Sequence, residues 1–124
     1  MIRFEEYFVS ETLSFYLNFV KLLAIIFFIA HWSACLWYLT GARTLNDPKS
    51  WVTKSELSNA STKEKYVTSL YWAFTTMTTV GYGDYYPVSD EGRWFACIVC
   101  SLGFFYVAIL CLAFQHELEM TNAE

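Results

Sequence analysis

The segment Thr78-Thr79-Val80-Gly81-Tyr82-Gly83-Asp84 constrains this chain more than any other. A strand with glycine at every second position can alternate between ordinary and left-handed dihedrals, because glycine has no Cβ to oppose the left-handed half. Such alternation turns consecutive carbonyl oxygens to one side, where they can replace the water around a desolvated cation. Gly81 and Gly83 hold the alternate positions, Val80 and Tyr82 point away from the ion into the surrounding protein, and the Thr79 hydroxyl adds an oxygen at the inner end. A bare Gly-x-Gly is more often a plain turn. Context favours a filter here: twelve residues of helical character, Tyr66–Met77, precede it, Tyr85-Tyr86-Pro87 follows, and an apolar stretch lies on either side.

Those stretches decide the fold class. Leu22–Leu39 is eighteen residues with no Asp, Glu, Lys or Arg and His31 as the one basic residue, and Trp94–Phe114 is twenty-one residues without a charge. At 1.5 Å per helical residue both are long enough for a hydrocarbon core of about 30 Å. With 56% hydrophobic and 20% aromatic residues in 124, the chain carries far more apolar surface than a soluble domain of its size uses. The expected fold is therefore an all-α membrane protein, multi-pass, with lipid as its solvent. The first stretch is too long for a signal peptide, follows acidic Glu5, Glu6 and Glu11, and lacks a small-residue cleavage site.

Several function classes fall away. A net charge of −4 and eight scattered basic residues offer no nucleic-acid surface. No paired carboxylates, nucleophile with base, or phosphate-cradling loop occurs, so neither an enzyme nor an organic cofactor is expected. Cys35, Cys97, Cys100 and Cys111 all fall in apolar helices, where cysteine behaves as a small apolar residue. Cys97-x-x-Cys100 has the spacing of a zinc half-site but no second ligand pair.

Along the chain, residues 1–14 set Phe4, Tyr7 and Phe8 at helical spacing against Arg3, Glu6 and Ser10, which suits an interfacial pre-helix or an extension of the first span. Residues 15–40 form the outer transmembrane helix, with Trp32, Trp37 and Tyr38 towards its far end as an aromatic belt and Gly41 as its stop. Residues 41–65 have loop composition and read as an extracellular or lumenal turret, carrying the glycosylation sequon Asn59-Ala60-Ser61. Its lysines and Arg43 would by the positive-inside rule make it cytoplasmic, but the flanks available for comparison are short. Residues 66–90 comprise a helix too short to span, the filter and the outer mouth. A filter must return to the side from which it entered, so that helix is re-entrant, and a cavity at its C-terminal end would favour a cation. Residues 91–117 form the inner transmembrane helix and 118–124 a short cytoplasmic tail.

Thr78–Asp84 matches the potassium-channel signature without a substitution, and the chain resembles a potassium-channel pore domain. His31-Trp32-Ser33-Ala34-Cys35-Leu36-Trp37-Tyr38 and Tyr66-Val67-Thr68-Ser69-Leu70-Tyr71-Trp72 resemble the outer and pore helices of the ether-à-go-go, cyclic-nucleotide-gated and plant inward-rectifier group, over residues 15–117. The resemblance implies a tetramer with three further pore subunits, and whether they are identical to this chain is not written in these residues. It also implies potassium as the permeant ion, bound by Thr79, Val80, Gly81 and Tyr82 with Gly83 completing the strand. Some cyclic-nucleotide-gated relatives that replace the threonine or tyrosine pass sodium, so Thr79 and Tyr82 support potassium selectivity. Tyr71 and Trp72 would support the filter, one of them holding Asp84, and Tyr71, Trp72, Tyr85 and Tyr86 would form a cuff around Tyr82.

Members of the group carry a voltage sensor before the pore and a cyclic-nucleotide-binding-type domain after it. Here no row of arginines precedes residue 15, so the chain reads as an excised pore module or as a minimal two-span channel. The inner helix lacks the Pro-x-Pro kink of other voltage-gated potassium channels, and Gly103, twenty residues after Gly83, stands where many place a hinge. Close helix packing would equally explain this glycine. Gly103, Val107, Cys111 and Gln115 recur every four residues, a slowly drifting stripe expected to line the cavity below the filter. His31 suits a hydrogen bond between helices, or a proton sensor. The competing reading is a non-conducting structural subunit of a larger membrane complex. What opens the pore, and which membrane holds it, is not written in these residues.

Overall fold

The computed structural model describes residues 2–43 and 47–123. Residues 1, 44–46 and 124, which belong to the expected pre-helix, turret and tail, lie outside them. Four helices follow in order, α1 (Ile2–Ala42), α2 (Trp51–Lys54), α3 (Thr62–Met77) and α4 (Asp90–Asn122), and no strand occurs among the described residues.

The two long helices, α1 with 41 residues and α4 with 33, are long and apolar enough to cross a membrane. At 1.5 Å per residue α1 extends about 60 Å, twice the hydrocarbon thickness, so one end projects beyond it. Of the two readings of the N-terminal residues, a separate pre-helix and an extension of the first span, the structure has the extension: α1 runs on from residue 2 with no break at residue 14. Large apolar side chains line the outer faces of both helices: Phe4 is 75% exposed and Trp94 74%, with Phe28, Trp32, Phe104 and Leu112 also open. Water would not tolerate so wide an apolar surface, whereas lipid and neighbouring chains accept it.

Caps fix the inner two boundaries. Ser61 Oγ accepts the backbone N–H of Glu64 at 3.2 Å, and the Ser-x-x-Glu spacing is that of a capping box, so α3 starts a turn before residue 66. Ser89 Oγ accepts from the N–H of Gly92 at 3.1 Å, and Asp90 and Glu91 in the first turn complement the α4 dipole. Gly41 is the penultimate residue of α1, one short of its end, and a Cβ there would meet the Trp51 indole and Val52 at 2.5 Å. Its bareness lets α2 lie against the end of α1, where Ser50 Oγ donates to the Gly41 carbonyl at 2.8 Å.

Packing is tightest between α1 and α3. Ala30 and Ala34 on α1 and Ser69 and Ala73 on α3 are fully buried, small residues that let two backbones approach closely. Trp37 anchors the far end, stacked on Trp72 of α3 at 3.8 Å between ring centres and 5° between planes. Trp51 of α2 stacks on its other face at 5.0 Å, and Phe95 of α4 lies 6.3 Å beyond Trp72. All four helices thus join one aromatic column. Lower down, the Tyr106 hydroxyl donates to the Leu22 carbonyl at 3.0 Å and ties α4 to α1.

Candidate ion filter

The strand after α3 has left-handed dihedrals at every second residue: φ is +64° at Thr79, +56° at Gly81 and +76° at Gly83. Gly81 and Gly83 stand where the sequence asks for them. Thr79 is the surprise, because a β-branched residue resists that region. Local bonds hold it there. Thr78 N–H donates to the Phe74 carbonyl at 3.0 Å and Thr79 N–H to Thr76 at 3.2 Å, so the last turn of α3 leads directly into the alternation. The Gly81 N–H then reaches back to the Thr75 carbonyl at 3.0 Å, fastening the middle of the strand to the pore helix. No side-chain pattern announces those backbone bonds.

Around Gly81 and Gly83 nothing approaches within 4 Å of an added Cβ, so dihedral preference alone excludes other residues within one chain. Residues 78–84 are all exposed, with Tyr82 at 71%. One side of the strand has its support, and the other faces open space.

Support divides sharply between two adjacent residues. Tyr71 lies parallel to Tyr82, 6.4 Å between centres and 2° between planes, and meets Tyr85 edge-on at 6.1 Å. Hydrogen bonding to the Asp84 carboxylate is the largest cause that pushes the Tyr71 phenol above its ordinary pKa, with burial second. The Asp84 carboxylate also accepts the N–H of Tyr85 at 3.1 Å. Trp72 turns the other way, into the column with Trp37 and Phe95. Tyr86 lies under the Lys54 ammonium at 4.8 Å, in an open depression that it lines with Trp51, Lys54, Asp84 and Tyr85. The expected cuff within one chain is therefore Tyr71 and Tyr85, without Trp72 or Tyr86.

The inner-helix stripe begins on a packed face. Gly103 is buried, and a Cβ there would strike the backbone carbonyl and Cα of Met77, the last residue of α3. Its smallness seats α4 directly beneath the filter, and α4 runs through it unbroken. Successive steps of four rotate the stripe outward, so Val107, Cys111 and Gln115 are exposed. His31 Nδ1 lies 2.7 Å from the Tyr66 hydroxyl, joining α1 to the first turns of α3, and Asn59 is exposed. Sequence reasoning missed Trp51 and Met77. The apolar pair Trp51-Val52 inside a polar turret was the available sign for the first; Met77 reads as any helix residue.

The ion transport protein family matches residues 4–114. The chain is 42% identical to potassium channel AKT1 of Arabidopsis thaliana over 79 residues, 62% of this chain and 9% of the relative. Potassium channel KAT1 of Arabidopsis thaliana is 38% identical over 58% of this chain and 11% of its own length. The voltage-gated inwardly rectifying potassium channel KCNH2 of Cavia porcellus is 35% identical over 60% of this chain and 7% of its own. The chain thus spans about a tenth of the length of these relatives.

Proposed function

The chain belongs to the ion transport protein family, and on that premise we propose that it is the pore-forming subunit of a potassium-selective channel. The observation that carries this reading is the alternation of left-handed dihedrals at Thr79, Gly81 and Gly83, in a strand that follows a helix too short to span and lies between two that can. The similarity to the potassium channels named above supports it. A transport family and a site made of backbone oxygens also speak for passive conduction rather than enzymatic turnover.

Four copies around one axis would face their open strands to each other. The carbonyls of Thr79, Val80, Gly81 and Tyr82, with the Thr79 hydroxyl, would then stack as oxygen layers that replace the hydration shell of potassium. One strand with one exposed side cannot enclose an ion, so the proposed unit is a closed ring of subunits. Tyr71, Tyr85 and Asp84 brace each strand from behind. Below, the C-terminal end of α3 points its carbonyls at the cavity, where a cation is favoured. Val107, Cys111 and Gln115 line that cavity, while Gly103 fixes the height of α4 against the filter. The expected divisions carry over as a turret, a pore segment and an inner helix, in an integral membrane assembly. A non-conducting structural subunit has no observation in its favour.

Planar-bilayer recording of the purified chain tests the proposal. Discrete potassium currents are expected, and a tetrameric protein that never conducts would point to the structural subunit instead.

A further inference from the structure

At the end of the molecule remote from the turret, an open groove of about 310 Å³ runs between α1 and α4. Its walls are apolar: Phe15, Phe19, Leu22 and Ile25 on α1 face Ala113 and Phe114 on α4, and Phe114 meets Phe15 and Phe19 edge-on, each at 6.2 Å. Two opposite charges also line it, Lys21 and Glu117, with Asn18 and His116 completing the polar rim. The adjoining depression adds Glu11. Lys21 immediately precedes the uncharged Leu22–Leu39 stretch, and Glu117 follows Trp94–Phe114 by three residues, so both stand where a hydrocarbon core ends. They do not pair with each other. Among the described residues no ion pair or hydrogen bond engages the Lys21 ammonium or the Glu117 carboxylate. Phe114 meets Phe15 and Phe19 at this end while Phe95 joins the Trp37 column at the other, so α1 and α4 run antiparallel. Side chains lean toward the N-terminus of their own helix, which carries Lys21 out of the core and Glu117 toward it. From the membrane outward the groove thus presents apolar walls, then a cation, then an anion.

We propose that this groove binds a phospholipid whose headgroup carries a phosphate and a primary ammonium, the chemistry of phosphatidylethanolamine. One acyl chain lies along Phe15, Phe19 and Leu22, the phosphate accepts from the Lys21 ammonium and the Asn18 amide, and the lipid ammonium donates to the Glu117 carboxylate. The order of groups along such a lipid, chain then phosphate then ammonium, is the order of the groove. Charge-assisted hydrogen bonds are the strong ones, and each would pair a charge left single at the membrane edge. An anionic headgroup without an amine leaves Glu117 single and sets a like charge beside it. The groove also opens away from the pore axis: Ala113 and Glu117 stand two residues beyond Cys111 and Gln115, about 200° around the helix. That orientation rests on the channel reading, in which Cys111 and Gln115 face the cavity, whereas the headgroup chemistry does not.

The test is native mass spectrometry of the full chain in detergent, titrated separately with dioleoyl phosphatidylethanolamine, phosphatidylcholine and phosphatidylglycerol. It reads lipids retained and subunits assembled, and needs no conduction. Phosphatidylethanolamine should bind at about tenfold lower concentration than the other two, the size of one lost charge-assisted hydrogen bond. Choline has no N–H to donate, and the glycerol headgroup has no cation. Glu117→Gln should erase that preference while phosphatidylglycerol is still retained, and Lys21→Gln should weaken all three lipids about tenfold. Equal binding of the three lipids by the unaltered chain overturns the proposal, since that is the behaviour of ordinary surrounding lipid. A preference for phosphatidylglycerol that survives Glu117→Gln overturns it by showing the lysine acting alone on an anionic lipid. Variants that change the number of assembled subunits and not the lipids retained overturn it by assigning the groove to a second copy of the chain. A headgroup preference in a protein that never conducts would defeat the channel reading and leave the lipid site standing.

Discussion

Tyr71 and Trp72 are neighbours on one helix and belong to two differently built regions. Trp72 enters a column in which Trp37 and Trp72 are almost wholly buried and four helices meet. Tyr71 reaches the filter strand, whose residues are exposed and whose shape rests on dihedral alternation and a few backbone bonds. One face of the pore helix is finished within the chain, and the other awaits partners. The difference teaches a division of labour under the proposed function: scaffold strength is intramolecular, and ion binding is assigned to the assembled copies.

That division is most severely stressed by Gly81→Ala. The added Cβ meets nothing, but a left-handed dihedral then costs roughly 1–2 kcal/mol in each chain. Selective conduction should vanish in bilayer recordings, while the melting temperature of the chain falls by only the few degrees that such a cost implies. A large drop in melting temperature would show that filter and scaffold are not separate.

Trp37→Ala strikes the other region. Removing a fully buried tryptophan costs about 3–5 kcal/mol. The indole nitrogen of Trp37 is buried without a hydrogen-bond partner, so no polar bond is lost with it and the cost is one of packing. Thermal unfolding should fall steeply, and channels that survive should keep their ion preference. Lost preference in folded channels would mean that the column sets the filter's shape directly.

Much of this was legible in the residues. Two uncharged stretches and a run of alternate glycines dictate two spans and a filter, because hydropathy and glycine's dihedral freedom act locally. The Trp37–Trp72 pairing was not legible, since both tryptophans also suit a membrane interface and only the crossing of α1 and α3 brings them together. Gly41 read as a helix stop and stands one residue before one, but that a neighbouring indole also requires the space was not legible. Thr79 carries no mark of its left-handed dihedral, which comes from the last turn of α3.

Gly103→Ala probes the seam between the two regions. Its Cβ would press on the Met77 backbone just before the filter, an overpacking cost of about 1–3 kcal/mol. Reduced stability together with shortened openings is expected in paired melting and single-channel records. A variant that only alters voltage or ligand sensitivity, with stability intact, would favour a hinge. Asp84→Asn should have the smallest effect. It weakens the hydrogen bonding to the residue-84 side chain that chiefly raises the Tyr71 phenol and removes the carboxylate charge that adds to it, so the Tyr71 pKa should fall in a spectrophotometric titration. Open-state lifetime should change more than ion preference, and an altered preference with unchanged kinetics would count against the brace.

The central claim is that the alternating strand, closed by four copies, selects potassium. Bi-ionic recording across a planar bilayer, with potassium on one side and sodium on the other, measures this directly. The account predicts a reversal potential displaced strongly toward that of potassium, and a reversal near zero, showing equal permeability, would contradict it.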